Sequence, residues 1–222
     1  VFWRSIGQDG AGTEVYGRRF AVRNRTCTAQ SDEFRVNSDI VGNQRDGVCC
    51  ALPNGDIMAA WVSEKNNVNT LFGRVFDQQG QPLTEDFILH SNDERGLNLV
   101  SLAPHPQGVL AAWACTDLIG SPEGIQGSLI NFDENQKMSQ KLFSAHDGAS
   151  SLAFEPSIDS ANDGSFVVSW MSTLDGSQFD VTARRFNSDL SPAADEFIVP
   201  GANSDMRSGG QVAVAYNGEF IV

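Results

Sequence analysis

Residues 48–63, VCCALPNGDIMAAWVS, join two apolar runs through Pro53-Asn54-Gly55-Asp56. Asn-Gly between apolar runs signals a hairpin, because the turn asks for positive φ that these residues tolerate. The second run sets Ile57, Ala59 and Trp61 on one face and Met58, Ala60 and Val62 on the other. Both faces are apolar, so a strand here is covered on both sides. Further along, Thr70–Phe76 reads as a third strand, Asp77–Gly80 as its exit turn, and Glu85–His90 as a fourth strand. These four segments are strands A, B, C and D.

The same order recurs along the chain. The A–B turn reappears at Pro106-Gln107-Gly108, Asn162-Asp163-Gly164 and Asn217-Gly218-Glu219; strand C at Val15–Phe20, Ile125–Ile130 and Val181–Phe186; strand D at Glu33–Val36, Lys141–Phe143 and Glu196–Val199. Four tryptophans, Trp3, Trp61, Trp113 and Trp170, mark strand B at intervals of 58, 52 and 57 residues. A fifth copy begins at Gly218–Val222. No segment of ten or more residues keeps a helical period, so the chain is all-β. A unit of roughly 55 residues is too short for an independent sandwich and too long for one solenoid coil. It fits a β-propeller of four-stranded antiparallel blades.

The repeat boundaries fall at 1–42 (strands B, C and D of a first blade), 43–92, 93–148, 149–202 and 203–222 (strand A and the start of strand B of the next or closing blade). Both ends of the chain lie inside strand B, so the four repeats' worth is expected to belong to a longer array.

Composition narrows the partners. The 222 residues are 41% apolar, enough for a core, and carry a formal charge of −13. That charge repels nucleic acid and anionic membranes alike, and no apolar run reaches the length of a membrane helix. No nucleic-acid binding or membrane insertion is expected. Cys27, Cys49, Cys50 and Cys115 fit no zinc spacing. One scheme pairs Cys27 with Cys49 or Cys50, and Cys115 with the other, as disulfides; buried thiols are the alternative. Asn24-Arg25-Thr26 is an N-glycosylation acceptor triplet one residue before Cys27, and with the cysteines it points to an extracellular or cell-surface protein.

Candidate sites divide into repeated and unrepeated features. Arg18, Arg74 and Arg184 hold equivalent places on strand C, next to the strand that carries the tryptophan. A guanidinium laid on each indole is either a ligand cage or a packing device at each seam, and repetition favours packing. The polar B–C loops place Asp9, Asp117 and Asp175 among Gly and Asn, where side-chain oxygens can ligate Ca²⁺ or simply shape turns. None has the twelve-residue loop with a closing Glu. His90, His105 and His146 are scattered at strand ends and loops and read as surface residues. No nucleophile elbow, zincin, P-loop or dinucleotide motif occurs, so neither a catalytic residue nor a cofactor other than calcium is assigned.

Certain short patterns carry a resemblance. They are Asp163–Trp170, Gln8–Gly12, Tyr16–Phe20, Gly80–Pro82 and Glu33–Asn37. The chain resembles the tandem repeats, roughly 50–55 residues long, of very large secreted and cell-surface proteins of bacteria and some protists. That resemblance implies a structural or adhesive setting and no catalytic residues. Cys49, Cys50, Cys115 and the longer segment around Cys27 depart from it. The resulting expectation is a non-catalytic extracellular module that assembles with other chains or other domains of one large protein. A carbohydrate-binding propeller module and a propeller-fold hydrolase are the alternatives, the first adding glycans to its partners.

Overall fold

The computed structural model describes the chain apart from residues 9–11, 67, 93–95, 117–121, 147–151, 175, 201–209 and 216–217. Every regular element among the described residues is a β-strand. The chain forms two compact units, Val1–Asp93 and Glu94–Val222.

In the first unit, β1 (Phe2–Ile6) pairs antiparallel with β2 (Thr13–Gly17), and β2 pairs with the short β5 (Phe34–Arg35). A separate hairpin, β3 (Phe20–Arg23) and β4 (Thr26–Ala29), is inserted between β2 and β5. A complete antiparallel meander follows: β6 (Asn43–Ala51), β7 (Ile57–Lys65), β8 (Val68–Phe76) and β9 (Phe87–Asn92). One parallel bridge, Thr13 to Asn43, links β2 to β6.

The second unit holds two more four-stranded meanders. The first is β10 (Gly96–His105), β11 (Gly108–Thr116), β12 (Pro122–Phe132) and β13 (Met138–His146). The next is β14 (Leu152–Ser160), β15 (Phe166–Thr173), β16 (Asp180–Phe186) and β17 (Phe197–Ile198). A two-stranded sheet, β18 (Ala213–Val214) and β19 (Phe220–Ile221), comes last.

One turn geometry closes most of these hairpins. Gly55 N–H donates to Leu52 C=O at 2.9 Å, Leu52 N–H donates to Asp56 C=O at 2.8 Å, and only Gly55 of the two central residues has positive φ (+87°). This is a type I turn followed by a left-handed residue, a longer loop than the two-residue turn expected for Asn54-Gly55. The same pair of bonds closes Ala161–Ser165 and Ala215–Glu219 between strands A and B, and Asp77–Gln81 and Asn187–Ser191 after strand C.

Strand B forms the core, as two-sided apolarity requires. Trp61, Trp113 and Trp170 are each no more than 1% exposed. Strand A bulges across from each of them. Its pairing slips between Arg45 and Val48, Asn98 and Val100, and Phe154 and Ser157, with positive φ at Asp46, Leu99 and Glu155. A bulge bends the strand and adds twist, making room for a bulky neighbour. Successive A strands of the second unit are tied side by side. Ile158 N–H donates to Ser101 Oγ at 3.3 Å, and Val212 N–H donates to Ser157 Oγ at 3.1 Å, from serines in equivalent places.

The arginines do not cap the tryptophans. Register pairs Arg74 with Ala59 and gives Trp61 to Phe72, whose ring stacks on the indole at 6.1 Å and 16°. Trp3 stacks on Tyr16 in the same way, at 6.5 Å. Each guanidinium lies instead over the phenylalanine two residues further along the chain: Arg18 over Phe20, Arg74 over Phe76 and Arg184 over Phe186, at 5.6–5.9 Å.

A second repeated device joins strands C and D. Gly17, Gly73 and Gly127 on strand C face Phe34, Phe87 and Phe143 on strand D. A Cβ on Gly73 would stand 2.5 Å from the Phe87 ring, and one on Gly127 would stand 2.3 Å from Phe143 and 2.6 Å from the Ala111 carbonyl. The glycines are there because the rings lie against bare backbone. Gly127→Ala therefore overpacks the sheet and lowers unfolding stability by about 1–3 kcal/mol in urea titrations. An unchanged midpoint and slope would show that the ring has another place to go.

Candidate functional site

Most residues singled out in the sequence serve the framework. Arg74 donates from Nε to the Thr84 carbonyl at 3.1 Å and from Nη1 to the Val36 carbonyl, beyond the end of the preceding repeat's β5, at 3.2 Å. Arg184 repeats this with Ala194 and with Ala145 of β13, at 3.3 Å each. Arg18 donates from Nε to the Ser31 carbonyl at 2.9 Å. The contact that Arg74 and Arg184 make to the preceding repeat is a strap. Asn24 and Arg25, with φ of 50° and 64°, form the exposed tip of the β3–β4 hairpin, so the acceptor triplet is open to solvent.

The disulfide scheme is corrected: none of the four cysteines is in a disulfide. Cys27 is exposed on β4 and Cys49 on β6, whereas Cys115 is buried within β11 across from Leu97. Adjacent Cys49 and Cys50 alternate across the sheet, as strand geometry demands. The calcium candidates Asp9, Asp117 and Asp175 lie outside the described residues. Among the described residues no cluster of three or more His, Cys, Asp or Glu side chains is arranged to hold a metal.

The surface reading of the histidines is also corrected. His105 and His146 are both buried, at 3% exposure, and His146 lines a pocket of the second unit. This pocket, of about 300 Å³, opens at one edge of the fourth repeat, where the end of β15 and the starts of β16 and β17 come together with the end of β13. His146, Ser172, Thr173, Gln178, Asp180, Thr182 and Glu196 are its polar lining residues, and Leu174, Phe197 and Ile198 its apolar ones.

Register explains the opening. Thr182 faces Trp170 where Tyr16 and Phe72 face the tryptophans of repeats one and two. A small side chain in place of an aromatic one leaves the indole uncovered. The His146 ring, from the preceding sheet, packs on it at 5.6 Å and 32°. Thr182 Oγ1 and Ser172 Oγ share a buried hydrogen bond of 2.7 Å. His146 Nδ1 lies 2.9 Å from Glu196 Oε2, and because an ionised carboxylate only accepts, the imidazole donates there. The imidazole side chain is 2% exposed and the Glu196 side chain 38%, so a buried ring holds a carboxylate at the mouth of the pocket. Asp180, half-buried and registered across from Ser172, supplies a second carboxylate.

The Glu196 contact elaborates a repeated one. Asp86 occupies the equivalent place, just before the strand D phenylalanine, and accepts from Ser38 N–H at 2.9 Å and Ser38 Oγ at 2.7 Å. In the fourth repeat this seam contact borders a pocket with a second carboxylate. The sequence reading took His146 for a surface residue and assigned no role to Asp180 or Glu196. The available signal was the dipeptide Thr182-Ala183, which stands where Tyr16-Gly17 and Phe72-Gly73 set an aromatic–glycine pattern.

No protein family and no curated protein sequence matches the chain. Among solved structures, the chain is similar to the crystal structure of an endo-arabinase from Bacteroides thetaiotaomicron VPI-5482. The TM-score is 0.55 and the identity 15%, over 99% of this chain and 82% of that one. At this identity the likeness speaks for the fold. It overturns the expectation of a chain that is not an enzyme, because this strand arrangement is one on which an enzyme is built.

His105 stands apart from the pocket, packed against the turn at Gly164 and against Ser188. Burial pushes its imidazole below the ordinary histidine value, outweighing upward pulls from the Gly164 and Ser188 backbone. The folded state then binds fewer protons than the unfolded state, so stability is full above the unfolded pKa of about 6.5 and falls as pH drops through it. Thermal melts from pH 7.5 to 5.0 should show this decline, and His105→Gln should flatten it. An equal slope in the variant would assign the decline to other groups.

Proposed function

We propose that the repeated sheets are blades of a β-propeller and that the pocket of the fourth repeat binds a saccharide. The propeller reading is supported by the four-stranded meanders, by strand B buried on both faces, and by the side-by-side A strands joined through Ser101 and Ser157. The endo-arabinase likeness adds to it. One observation carries the saccharide reading: at Thr182-Ala183, where repeats one and two have an aromatic residue and a glycine and repeat three has Gln126-Gly127, a pocket of convergent hydroxyl and carboxylate groups opens. Sugar hydroxyls both donate and accept. Glu196 and Asp180 accept from them, while Ser172 and Thr182 can do either. A pocket with few placed polar groups and an apolar wall is the usual form of a small-ligand site.

Glycoside cleavage is the second reading, favoured by the presence of Asp180 and Glu196 at one pocket. Cleavage needs one carboxyl to protonate the leaving oxygen and another to attack or to activate water. In this reading His146 orients Glu196, and the two carboxylates divide those roles. The reading replaces the adhesive scaffold expected from the repeats. We also infer an extracellular setting, where polysaccharides are met, and the exposed Asn24 hairpin tip fits it.

The test is calorimetric titration of the full-length protein with linear arabino-oligosaccharides and a panel of other neutral oligosaccharides, together with assay of reducing ends released from arabinan. Glu196→Gln should weaken binding about tenfold, the worth of a hydrogen bond to a charged group. Asp180→Asn and Glu196→Gln should each abolish release of reducing ends without lowering the melting temperature. If no oligosaccharide binds at millimolar concentration, the proposal fails. Binding without cleavage would retain the first reading and remove the second.

A further inference from the structure

Beside each strand D phenylalanine and the residue that faces it on strand C stands a second pair of residues. The pair is Arg18 and Glu33 in the first repeat, Arg74 and Asp86 in the second, Ser128 and Leu142 in the third, and Arg184 and Glu196 in the fourth. Arginine and acid are thus present together or lost together. Where the acid is aspartate it stays on the guanidinium: Asp86 lies 3.6 Å from Arg74 Nε, and its side chain is 11% exposed. Where the acid is glutamate it goes elsewhere. Glu33 accepts from Gln8 Nε2, and Glu196 meets His146 Nδ1 at 2.9 Å with its side chain 38% exposed. Arg184 turns its Nε and Nη1 to the Ala194 and Ala145 carbonyls, and no ion pair joins it to Glu196.

We infer that side-chain length at position 196 delivers the carboxylate to the pocket, and that Arg184 is a positioning residue for the His146–Glu196 pair. The extra methylene of glutamate carries the carboxylate past the guanidinium, and the His146 imidazole holds it at the mouth. Arg184 ties down the backbone of both partners. The Ala145 carbonyl immediately precedes His146, and the Ala194 carbonyl lies two residues before Glu196. A planar guanidinium can fix two such acceptors at once, which a single ammonium group does less well. The consequence for ligand binding rests on the saccharide reading of the pocket. A carboxylate pulled onto a buried guanidinium is withdrawn into the seam, as Asp86 is. A carboxylate held by one imidazole N–H keeps lone pairs for the hydroxyls of a sugar.

Glu196→Asp tests this, because it keeps the charge and removes only the methylene. With a neutral arabino-oligosaccharide as probe, the variant should lose about tenfold in affinity, as much as Glu196→Gln. In its crystal structure the shortened carboxylate should lie within about 4 Å of Arg184, the separation of an ion pair. The His146 Nδ1–H, deprived of its acceptor, should exchange faster with solvent in NMR spectra recorded without ligand. Asp86→Glu should do the reverse in the second repeat, taking the carboxylate off Arg74 while leaving affinity for the probe unchanged. Arg184→Lys should speed the same His146 exchange and weaken binding, whereas Arg74→Lys should alter neither, which separates positioning from a general loosening of the seams. If the wild type binds the probe and Glu196→Asp binds it equally well, the inference is overturned and the saccharide reading stands. A shortened carboxylate that remains on His146 also overturns it, with or without a ligand. If the wild type binds no oligosaccharide, the saccharide reading falls and the role in binding with it, and the Glu196→Asp structure alone decides whether length sets the place of the carboxylate.

Discussion

Two-sided burial of the tryptophan strand is the constraint on which the rest of the structure depends. An indole sealed to 1% exposure or less must be covered by its own sheet and by neighbouring layers. Trp61 meets this demand with a stacked Phe72 on strand C and a bulge in strand A across from it. Trp113 and Trp170 keep the bulge. Arg74 and Arg184 then strap each sheet to the final strand of the one before it, through backbone carbonyls. Turn geometry, bulge, strap and glycine seat all recur from repeat to repeat.

A repeated device cannot explain a unique site, so departures from the pattern carry the functional information. The fourth repeat departs twice in succession, at Thr182 and Ala183. The first change removes an aromatic lid from Trp170 and admits His146. The second puts a buried methyl across from Phe197 where the other repeats have a glycine. At this seam a pocket lined by two carboxylates opens beside His146. The function proposed for this pocket depends on that local failure of repetition more than on any motif.

The strands and their order were legible because the relevant signals are local. Period-two apolar runs, Asn-Gly and Asp-Gly turns and evenly spaced tryptophans lie within a few residues of one another. The misreadings concern the third dimension. Arg74 was assigned to the indole because strands B and C are neighbours, but register moves it to Ala59 and sends the guanidinium to Phe76. The cysteines suggested bridges by number, while Cys115 is buried inside a strand and Cys27 is exposed on an inserted hairpin. His146 and Glu196, 50 residues apart, meet only because one sheet packs on the next. No local pattern encodes such a meeting. The trace it left in sequence is Thr182-Ala183 in place of the aromatic–glycine pairs Tyr16-Gly17 and Phe72-Gly73.

The most direct measurement is a map of backbone amide shifts as a neutral arabino-oligosaccharide is titrated into isotope-labelled full-length protein. The account predicts saturable shifts confined to the pocket edge of the fourth repeat, at Ser172, Asp180, Thr182, Glu196 and Phe197, and at His146 on the neighbouring strand. Shifts centred instead on the A–B turns or the β3–β4 hairpin, or a spectrum that does not change, would contradict it.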